Sequence, residues 1–339
     1  MIIFSVESSC DETSCAVIRA VDGRFEILSN IVATQIETHA LYGGVVPEIA
    51  SRAHLEAVST VANRAIADSG ISTSDIDSVA VTCAPGLIGA LLVGVSFAKA
   101  FAYSLGVPLI PVNHIKAHAA AVYPANPDLK PPFYAVVVSG SHTSVYRVNS
   151  FTDFEELGGS RDDAAGEAID KAARAMGLPY PGGLNLDRVA KDGDSTAYKM
   201  PHPRVDGAPY DFSFSGLKTA VLNTINIAKQ KGEEINVPDL GASYIKAVVD
   251  CLTENTEKAA LDLGYKKIVL AGGVSANSVL RREMTSLCKK HGWELYAPEL
   301  RYCGDNAAMV GAQGYYEFIS GNTADLSLNA CASMSIENT

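Results

Sequence analysis

The chain has 339 residues, of which 47% are hydrophobic and 19% charged; this excludes a disordered protein and allows two domains with sizeable cores. Its net charge of −11 argues against a simple nucleic-acid binder, because contacts to phosphates need a basic footprint. The first residues carry no basic segment, so we expect no signal peptide. Together with seven scattered cysteines that form no CxxC pair, this favours the reducing cytosol.

The first predicted element is a β-hairpin, formed by two apolar runs at 2–8 and 13–20 around a polar turn that contains Asp11 and Glu12. The elements that follow are a strand at 25–35, a helix at 47–69, a strand at 77–83, a helix at 87–105 and a strand at 107–112. The longest apolar stretch, 87–112, is interrupted by Lys99 and by Pro108. It therefore predicts a buried helix and a buried strand instead of a membrane span.

A pair of histidines, His114 and His118, lies in the next predicted helix, at 114–122. Residues four apart share one face of a helix, and neutral imidazole is a common ligand for zinc and iron. The pair therefore predicts two ligands for a divalent metal, with ordinary surface or core histidines as the alternative. A zinc protease of the HExxH type is not expected, because Ile115 stands where that class carries its general base.

The same order of elements returns after a proline-rich linker at 123–132. Apolar runs at 134–138 and 143–148 flank a polar turn, and the later elements are a strand at 267–271, a helix at 277–291, a strand at 293–297 and a helix at 305–319. The sequence thus predicts two copies of one unit. The second copy contains an insertion at 155–215, rich in Gly, Pro and Asp, which we expect to form loops and short helices that serve a site.

The repeat suggests a third metal ligand. Asp305 opens the last helix of the second copy, as His114 opens the last helix of the first. If a pseudo-twofold axis relates the copies, Asp305, His114 and His118 meet at a cleft between two lobes. Two imidazoles and one carboxylate leave positions on a metal open, which favours a catalytic or ligand-binding metal over a structural one.

Glycine-rich turns suggest a nucleotide near this metal. The turn 139–141 exposes backbone N–H groups, and Gly272-Gly273 precedes a helix; both arrangements can hold a phosphate. Asp170 and Asp187 lie in the insertion beside Gly182-Gly183, where carboxylates can hold ribose hydroxyls. The alternatives are ordinary turns and solvated loop acids.

Seven motifs, which together span nearly the whole chain, resemble those of one family. They are residues 7–13 (ESSCDET), 42–48 (YGGVVPE), 84–94 (APGLIGALLVG), 162–167 (DDAAGE), 180–183 (YPGG), 211–219 (DFSFSGLKT) and 271–277 (AGGVSAN). On these motifs the chain resembles the tRNA N6-adenosine threonylcarbamoyltransferases, the TsaD family, also called YgjD or Gcp. This family belongs to the superfamily of actin, heat-shock chaperones and sugar kinases.

The resemblance implies an α/β, two-lobed actin-like (ASKHA) fold with duplicated RNase H-like lobes and a cleft between them. We expect an N-terminal lobe at 1–112 and a C-terminal lobe at 113–305 that contains the insertion. The remainder, 306–339, is expected to be a helix and tail that pack back on the N-terminal lobe.

The resemblance also implies a reaction: transfer of threonylcarbamoyl from threonylcarbamoyl-AMP to N6 of adenosine 37, next to the anticodon of tRNAs that read A-starting codons, which forms t6A. One Fe²⁺ or Zn²⁺ ion is expected at His114, His118 and Asp305. The residues that match the family's adenylate site are Val137, Val138, Ser139, Gly140, Ser141, Asp170, Gly183, Asp187 and Asn277.

The implied partners are tRNA, a TsaB-like paralogue and a TsaE-like ATPase, while a TsaC-like enzyme supplies the intermediate. The implied location is the cytoplasm, without a membrane. Because the chain is acidic, we expect it to need these proteins to modify tRNA. The helices near 87–102 and 47–62 are candidate docking surfaces for a partner that shares the fold; simple packing inside the first lobe is the alternative.

The hairpin-tip acid Asp11 is the candidate for positioning or deprotonating the attacking amine, with Glu12 beside it as a second catalytic candidate. A turn-forming role for Asp11 is the alternative. Other functions left open are a small-molecule O-carbamoyltransferase, a kinase of the same superfamily and a nucleotide-dependent binding module like the heat-shock chaperones.

The chain departs from the family pattern at four positions. Ser141 replaces a glycine, and we expect strain there if the position needs a positive φ. Lys116 and Ala117 replace glutamate and glycine between the histidines, which predicts an altered surface near the metal. Leu184 replaces a common proline.

Overall fold

The fold is described from a computed structural model, for residues 1–338. The strands are β1 (Ile2–Glu7), β2 (Glu12–Val21), β3 (Arg24–Thr34), β4 (Ser78–Ala84), β5 (Leu109–Asn113), β6 (Phe133–Val138), β7 (Thr143–Val148), β8 (Phe154–Gly159), β9 (Lys267–Ala271) and β10 (Glu294–Tyr296). The α-helices are α1 (Ile36–Ala40), α2 (Pro47–Ser69), α3 (Ile88–Leu105), α4 (His114–Ala120), α5 (Ala165–Ala175), α6 (Gly182–Ala190), α7 (Ser215–Lys231), α8 (Val237–Leu263), α9 (Ser278–His291) and α10 (Ala307–Ile319).

The predicted strands and helices are confirmed, each within two residues at either end. Their bounds follow local rules: α2 begins at Pro47, which suits a first helical turn, and ends before Gly70, whose φ of 71° is left-handed. The long helices α7 and α8 lie in a region for which the sequence analysis made no assignment.

The chain divides into two compact units. Unit 1 comprises Met1–Pro132, Val148–Glu155 and the chain from Pro298 onward, and unit 2 comprises Phe133–Arg147 and Glu156–Ala297. These boundaries differ from the predicted ones at 112 and 305. Helix α4 stays in unit 1 because it packs on α10 and on the end of β5.

Unit 1 is built on a five-stranded sheet with the order β3-β2-β1-β4-β5. Strand β1 pairs antiparallel with β2 and parallel with β4, and β4 pairs parallel with β5. Alternate side chains of β1 point to opposite faces. Phe4 and Val6 pack in the same core as residues of α2 and α3, whereas Ile3 packs in a second core with residues of α4 and α10. The sheet is therefore covered on both sides.

Unit 2 has a sheet with the order β10-β9-β6-β7-β8. If β6 is matched to β1, this order is the same as in unit 1: a hairpin and a further strand on one side, and two later strands on the other. The predicted duplication is therefore confirmed at the level of sheet topology. The predicted insertion began at 155, inside β8, but β8 occupies the place of β3 and so belongs to the repeated unit. The segment after β8 supplies α5 and α6, as expected for short helices and loops.

Helix α3 is long and apolar enough to cross a membrane by length and composition alone, and no other helix in residues 1–338 meets that test. One face, which includes Ala90 and Leu91, is buried against β4 and α2. The other face exposes apolar side chains, among them Ile88 and Leu92. The sequence predicted a buried helix, whereas α3 is buried on one face only.

The close approach of α10 to the sheet gives a first prediction. A Cβ at Gly314 would lie 2.7 Å from the Ala80 Cβ, whereas a Cβ at Gly216 of α7 would meet nothing within 4 Å. We expect Gly314→Ala to lower the free energy of unfolding by about 1–3 kcal/mol through overpacking. The control Gly216→Ala should leave it unchanged or raise it by up to about 1 kcal/mol, because alanine is the better helix former. Urea denaturation followed by circular dichroism measures both, and equal effects would contradict the packing argument.

Candidate metal and nucleotide sites

The three predicted metal ligands come together in unit 1. Asn113, at the end of β5, accepts hydrogen bonds from the backbone N–H groups of Ile115 (2.9 Å) and Lys116 (3.4 Å), and so caps α4. The helix then places His114 and His118 on one face, with ring centroids 4.5 Å apart. Asp305 lies just before Asn306, the N-cap of α10, instead of opening the helix as predicted.

All three ligands belong to one unit, which corrects the expectation that Asp305 comes from the second lobe. The reason is that the chain from Pro298 onward returns to unit 1, where α10 covers the face of the sheet that carries Ile3 and Ala80.

The geometry of these ligands suits a metal ion. The Oδ1 atom of Asp305 lies 3.2 Å from Nε2 of His118 and 3.6 Å from Nε2 of His114, and the ligand atoms all lie within 4.8 Å of one another. His118 is fully buried, and its Nε2 atom makes no hydrogen bond to any residue in 1–338. A buried nitrogen of this kind needs a partner. Two imidazoles and a carboxylate could hold zinc or iron here.

The sequence analysis missed Glu7, which lies behind His114. Its Oε2 atom is 3.0 Å from Nδ1 of His114, and its carboxylate is fully buried. Burial disfavours the charged forms of both Glu7 and His114. Nevertheless, His114 lowers the pKa of Glu7, while Glu7 and Asp305 raise the pKa of His114 to about 9. Without a metal the two therefore form a buried ion pair. The only sequence signal was a glutamate that ends an otherwise apolar strand.

Another histidine, His54, holds the turn that carries Asp11 and Glu12. The ring of His54 lies 2.7 Å from the Thr13 hydroxyl and 3.0 Å from the Cys10 carbonyl. It therefore contacts the turn both before and after Asp11 and Glu12. Burial raises the pKa of Glu12 to about 9, and the charges of Asp11 and Asp305 add to this. At neutral pH Glu12 therefore carries a proton.

Two glycine-containing turns lie side by side in unit 2. The 139–141 turn follows β6 and Gly272-Gly273 follows β9, and these strands are parallel neighbours with Val137 opposite Ala271. Gly272 has a φ of 89°, and a Cβ there would lie 2.3 Å from the Val138 carbonyl oxygen, so only glycine fits. The carboxyl edge of such a sheet is where α/β proteins bind ligands.

The first of these turns contains the departure Ser141. The turn is closed by a hydrogen bond from the Ser139 N–H to the His142 carbonyl (2.7 Å) and by one from the His142 N–H to the Ser139 hydroxyl (3.1 Å). Within residues 1–338, Asp22 is the only non-glycine residue with a positive φ. Ser141 is therefore not in the left-handed region, and the strain considered for it is not present.

The acids predicted for the ribose also support the loops around them. Asp170 accepts a hydrogen bond from the N–H of Gly183 (2.8 Å) at the start of α6. Asp187 accepts bonds from the side-chain amide of Asn277 (3.0 Å) and from the hydroxyl of Ser278 (2.8 Å) at the start of α9. The Oδ1 atom of Asp187 accepts both of these hydrogen bonds. The predicted residues Asp187 and Asn277 thus meet at one helix N-terminus.

The remaining departures from the family pattern lie in different places. Lys116 is 1% exposed: its Nζ donates to the Thr152 carbonyl (2.8 Å) and lies 5.8 Å from the centre of the Phe154 ring. Ala117 is also buried. The prediction of an altered surface was therefore wrong, because both substitutions change the interior of unit 1. Leu184, in contrast, is exposed on α6.

The raised pKa of His114 gives a prediction about pH. Below that pKa, of about 9, a metal ion must displace the Nε2 proton, so proton and metal compete. We expect the affinity for Zn²⁺ to rise by about tenfold per pH unit from about pH 6 and to level off above the pKa. Competition with a chelator in a pH series measures this. Calorimetry in buffers of different ionisation enthalpy counts the released protons, and a pH-independent affinity would contradict the ion pair.

Known proteins resemble the chain over nearly its whole length. The profile of the family described as "TsaD: tRNA N6-adenosine threonylcarbamoyltransferase" matches residues 26–312. A protein of that name from Clostridioides difficile is 51% identical over 336 residues, which covers 99% of this chain and 98% of the relative. A second, from Caldicellulosiruptor saccharolyticus, is 49% identical over 99% of this chain and 98% of its own.

Two solved structures share the fold at low identity. The full-length HypF structure in a phosphate- and nucleotide-bound form is 14% identical, with a TM-score of 0.62 over 98% of this chain and 47% of HypF. The activator of 2-hydroxyisocaproyl-CoA dehydratase from Clostridium difficile, with bound ADPNP, is 14% identical with a TM-score of 0.52 over 94% of this chain and 95% of its own. They show the actin-like fold alone. On the profile match and the near-complete alignment with its relatives, the chain belongs to the tRNA N6-adenosine threonylcarbamoyltransferase family.

Proposed function

We propose that this chain transfers threonylcarbamoyl from threonylcarbamoyl-AMP to N6 of adenosine 37 in tRNAs that read A-starting codons, forming t6A. The observation that carries the proposal is the convergence of His114, His118 and Asp305 in a chain half identical to named transferases. A phosphate-transferring kinase has no need for such a pair of imidazoles. The same convergence disfavours a chaperone-like binding module.

The proposed metal site consists of His114, His118 and Asp305, with Fe²⁺ or Zn²⁺ as the ion. When bound, the ion supplies Lewis-acid polarisation of the acyl donor. The protein contributes the three ligands in a pocket that excludes water from the two histidine rings, which are 4% and 0% exposed.

The proposed adenylate site lies in unit 2. Its phosphate would be held by N–H groups of the 139–141 and 272–273 turns, preceded by Val137 and Val138, and its ribose by Asp170, Gly183, Asp187 and Asn277. Support comes from the adjacent placement of the two turns at the carboxyl edge of the sheet. HypF and the dehydratase activator, which share the fold, hold nucleotides in their solved structures.

The proposed acyl transfer is a substitution at the carbamoyl carbon. A bond forms from adenosine N6 to that carbon, the bond from the carbon to the phosphate oxygen breaks, and AMP leaves with the electron pair. The amine must also lose one proton. Asp11 is the proposed acceptor, since Glu12 with its pKa of about 9 already carries a proton at neutral pH and donates a hydrogen bond to Asp11.

The charge distribution bears on how tRNA is held. Unit 1 contains eight Lys and Arg residues against 19 Asp and Glu, whereas unit 2 contains 19 of each. The whole net charge of −11 therefore lies in unit 1, where it repels a phosphate backbone. This supports binding of tRNA by unit 2 together with partner proteins. The proposed partners are a TsaB-like paralogue and a TsaE-like ATPase. A TsaC-like enzyme supplies the intermediate.

The proposed docking surface for the paralogue lies on α2 and α3, which pack together. Leu55, Ile88 and Leu92 are exposed there by 66%, 47% and 40%. Apolar side chains of this kind on neighbouring helices fit a helix-to-helix interface. Seven free cysteines and a tRNA substrate support a cytoplasmic location.

Transfer of labelled threonylcarbamoyl from threonylcarbamoyl-AMP to tRNA tests the proposal. We expect multiple turnovers when the chain is combined with its TsaB-like and TsaE-like partners, and little turnover by the chain alone. His118→Ala, tested in the same mixture, should lose both bound metal and transfer, while circular dichroism shows that the variant still folds. Sustained turnover by the isolated chain would remove the partner requirement, and no transfer in any combination would overturn the function.

Binding of AMP tests the adenylate site separately. Asp187→Asn keeps an oxygen acceptor but removes a charge, and we expect AMP affinity to fall by about ten- to a hundredfold, which corresponds to ~1.5–3 kcal/mol. The control Asp192→Asn removes a charge from an exposed position in the same insertion and should change nothing. Calorimetry measures both affinities, and thermal unfolding checks that α9 keeps its start. An unchanged affinity in Asp187→Asn would remove the assignment.

A further inference from the structure

We propose that Glu7 is a positioning residue, which orients His114 for the metal and couples that ligand to the turn that carries Asp11. The inference rests on the proposed metal site and assigns a role to a residue outside it. Glu7 would touch neither the metal nor the substrate, and would act through His114 and through the backbone of Ser9.

Both oxygen atoms of the Glu7 carboxylate have hydrogen-bond partners. It ends β1 and has no exposed surface. Oε1 accepts a hydrogen bond from the N–H of Ser9 at 2.6 Å, and Oε2 accepts one from the Thr82 hydroxyl at 2.6 Å and lies 3.0 Å from Nδ1 of His114. A buried carboxylate is tolerated only with such a set of donors. These three partners sit at the ends of three neighbouring strands, β1, β4 and β5.

In the hydrogen bond between Glu7 and His114, the donor and the acceptor can be assigned. An ionised carboxylate can only accept, so Nδ1 of His114 must carry the hydrogen. The ring's other nitrogen, Nε2, faces Asp305 at 3.6 Å and is the atom that can bind a metal once its proton is displaced. Carboxylates behind metal-bound histidines fix the tautomer and the ring orientation in this way. The Ser9 hydroxyl, 3.2 Å from the same Nδ1, adds a second contact.

His118 provides an internal contrast. Its Nδ1 atom is buried and has no hydrogen-bond partner in the described chain. The two histidines are therefore held differently: a carboxylate contacts Nδ1 of His114, whereas Nδ1 of His118 has no such contact. Loss of Glu7 should disturb only one of the two imidazole ligands and should weaken the site without abolishing it.

The Ser9 contact extends the role of Glu7 to the catalytic turn. The Ser9 carbonyl accepts a hydrogen bond from the Leu87 N–H at 2.8 Å, and a Cβ at Gly86 would lie 2.6 Å from that carbonyl oxygen. The turn is thus pressed against the start of α3, with Glu7 on its other side. Removal of the carboxylate should therefore also shift Asp11, two residues beyond Ser9.

The test compares Glu7→Gln with wild type in the full chain. Glutamine keeps the shape but turns an NH₂ group toward one set of donors, so we expect the affinity for Zn²⁺ to fall by about ten- to a hundredfold. Competition with a chelator measures this without any assay of activity. Thr82→Val, which removes another bond to the same oxygen, should give a smaller loss. Glu37→Gln removes a charge from an exposed position and should give none.

A second measurement covers the case in which the Gln variant does not fold, which circular dichroism would reveal. Long-range ¹H–¹⁵N NMR of the zinc-loaded wild type identifies the bound nitrogen of His114. We expect Nε2 to carry the zinc and Nδ1 to carry the proton, and zinc on Nδ1 would overturn the inference. Equal affinity in a folded Glu7→Gln variant would also overturn it while leaving the metal proposal intact. A wild type that binds no zinc would overturn both.

Discussion

The buried pair of Glu7 and His114 is the interaction on which the rest of unit 1 depends. Two charges without exposure are costly, and they persist only where pairing and hydrogen bonds offset the lost hydration. Here the hydroxyl of Thr82 and the N–H of Ser9 supply the additional donors. Because β1, β4 and β5 are parallel neighbours, their carboxyl ends bring these groups to one edge of the sheet. His114 and the turn that carries Asp11 both follow strands that end on that edge.

The two units show how one topology can carry different chemistry. Both sheets have the same strand order, and in both the functional turns follow corresponding strands. In unit 1 these positions hold imidazole and carboxylate groups, and the unit is strongly acidic. In unit 2 they hold glycines and hydroxyls, with a helix N-terminus beside them, and the unit is neutral. The first set suits a cation and the second suits an anion.

Departures from the family pattern are tolerated because of where they lie. Lys116 fits in the interior because its ammonium donates to a backbone carbonyl and lies over the ring of Phe154. Ser141 fits because its backbone is not left-handed. Leu184 is exposed, where a leucine in the first turn of a helix is acceptable. None of these substitutions replaces His114, His118, Asp305 or the acids of the first turn.

Local patterns in the sequence determined the strands, the helices and the duplication, because hydrophobic period, caps and glycine turns act within a few residues. They also determined that His114 and His118 share a helix face. Only the tertiary structure decided that Asp305 meets them within unit 1, that Lys116 is buried and that Glu7 holds His114. Glu7 and His114 are 107 residues apart in the chain, and their contact depends on which strands lie side by side. The sequence cannot specify such a contact by itself, because no local pattern encodes the packing of distant segments.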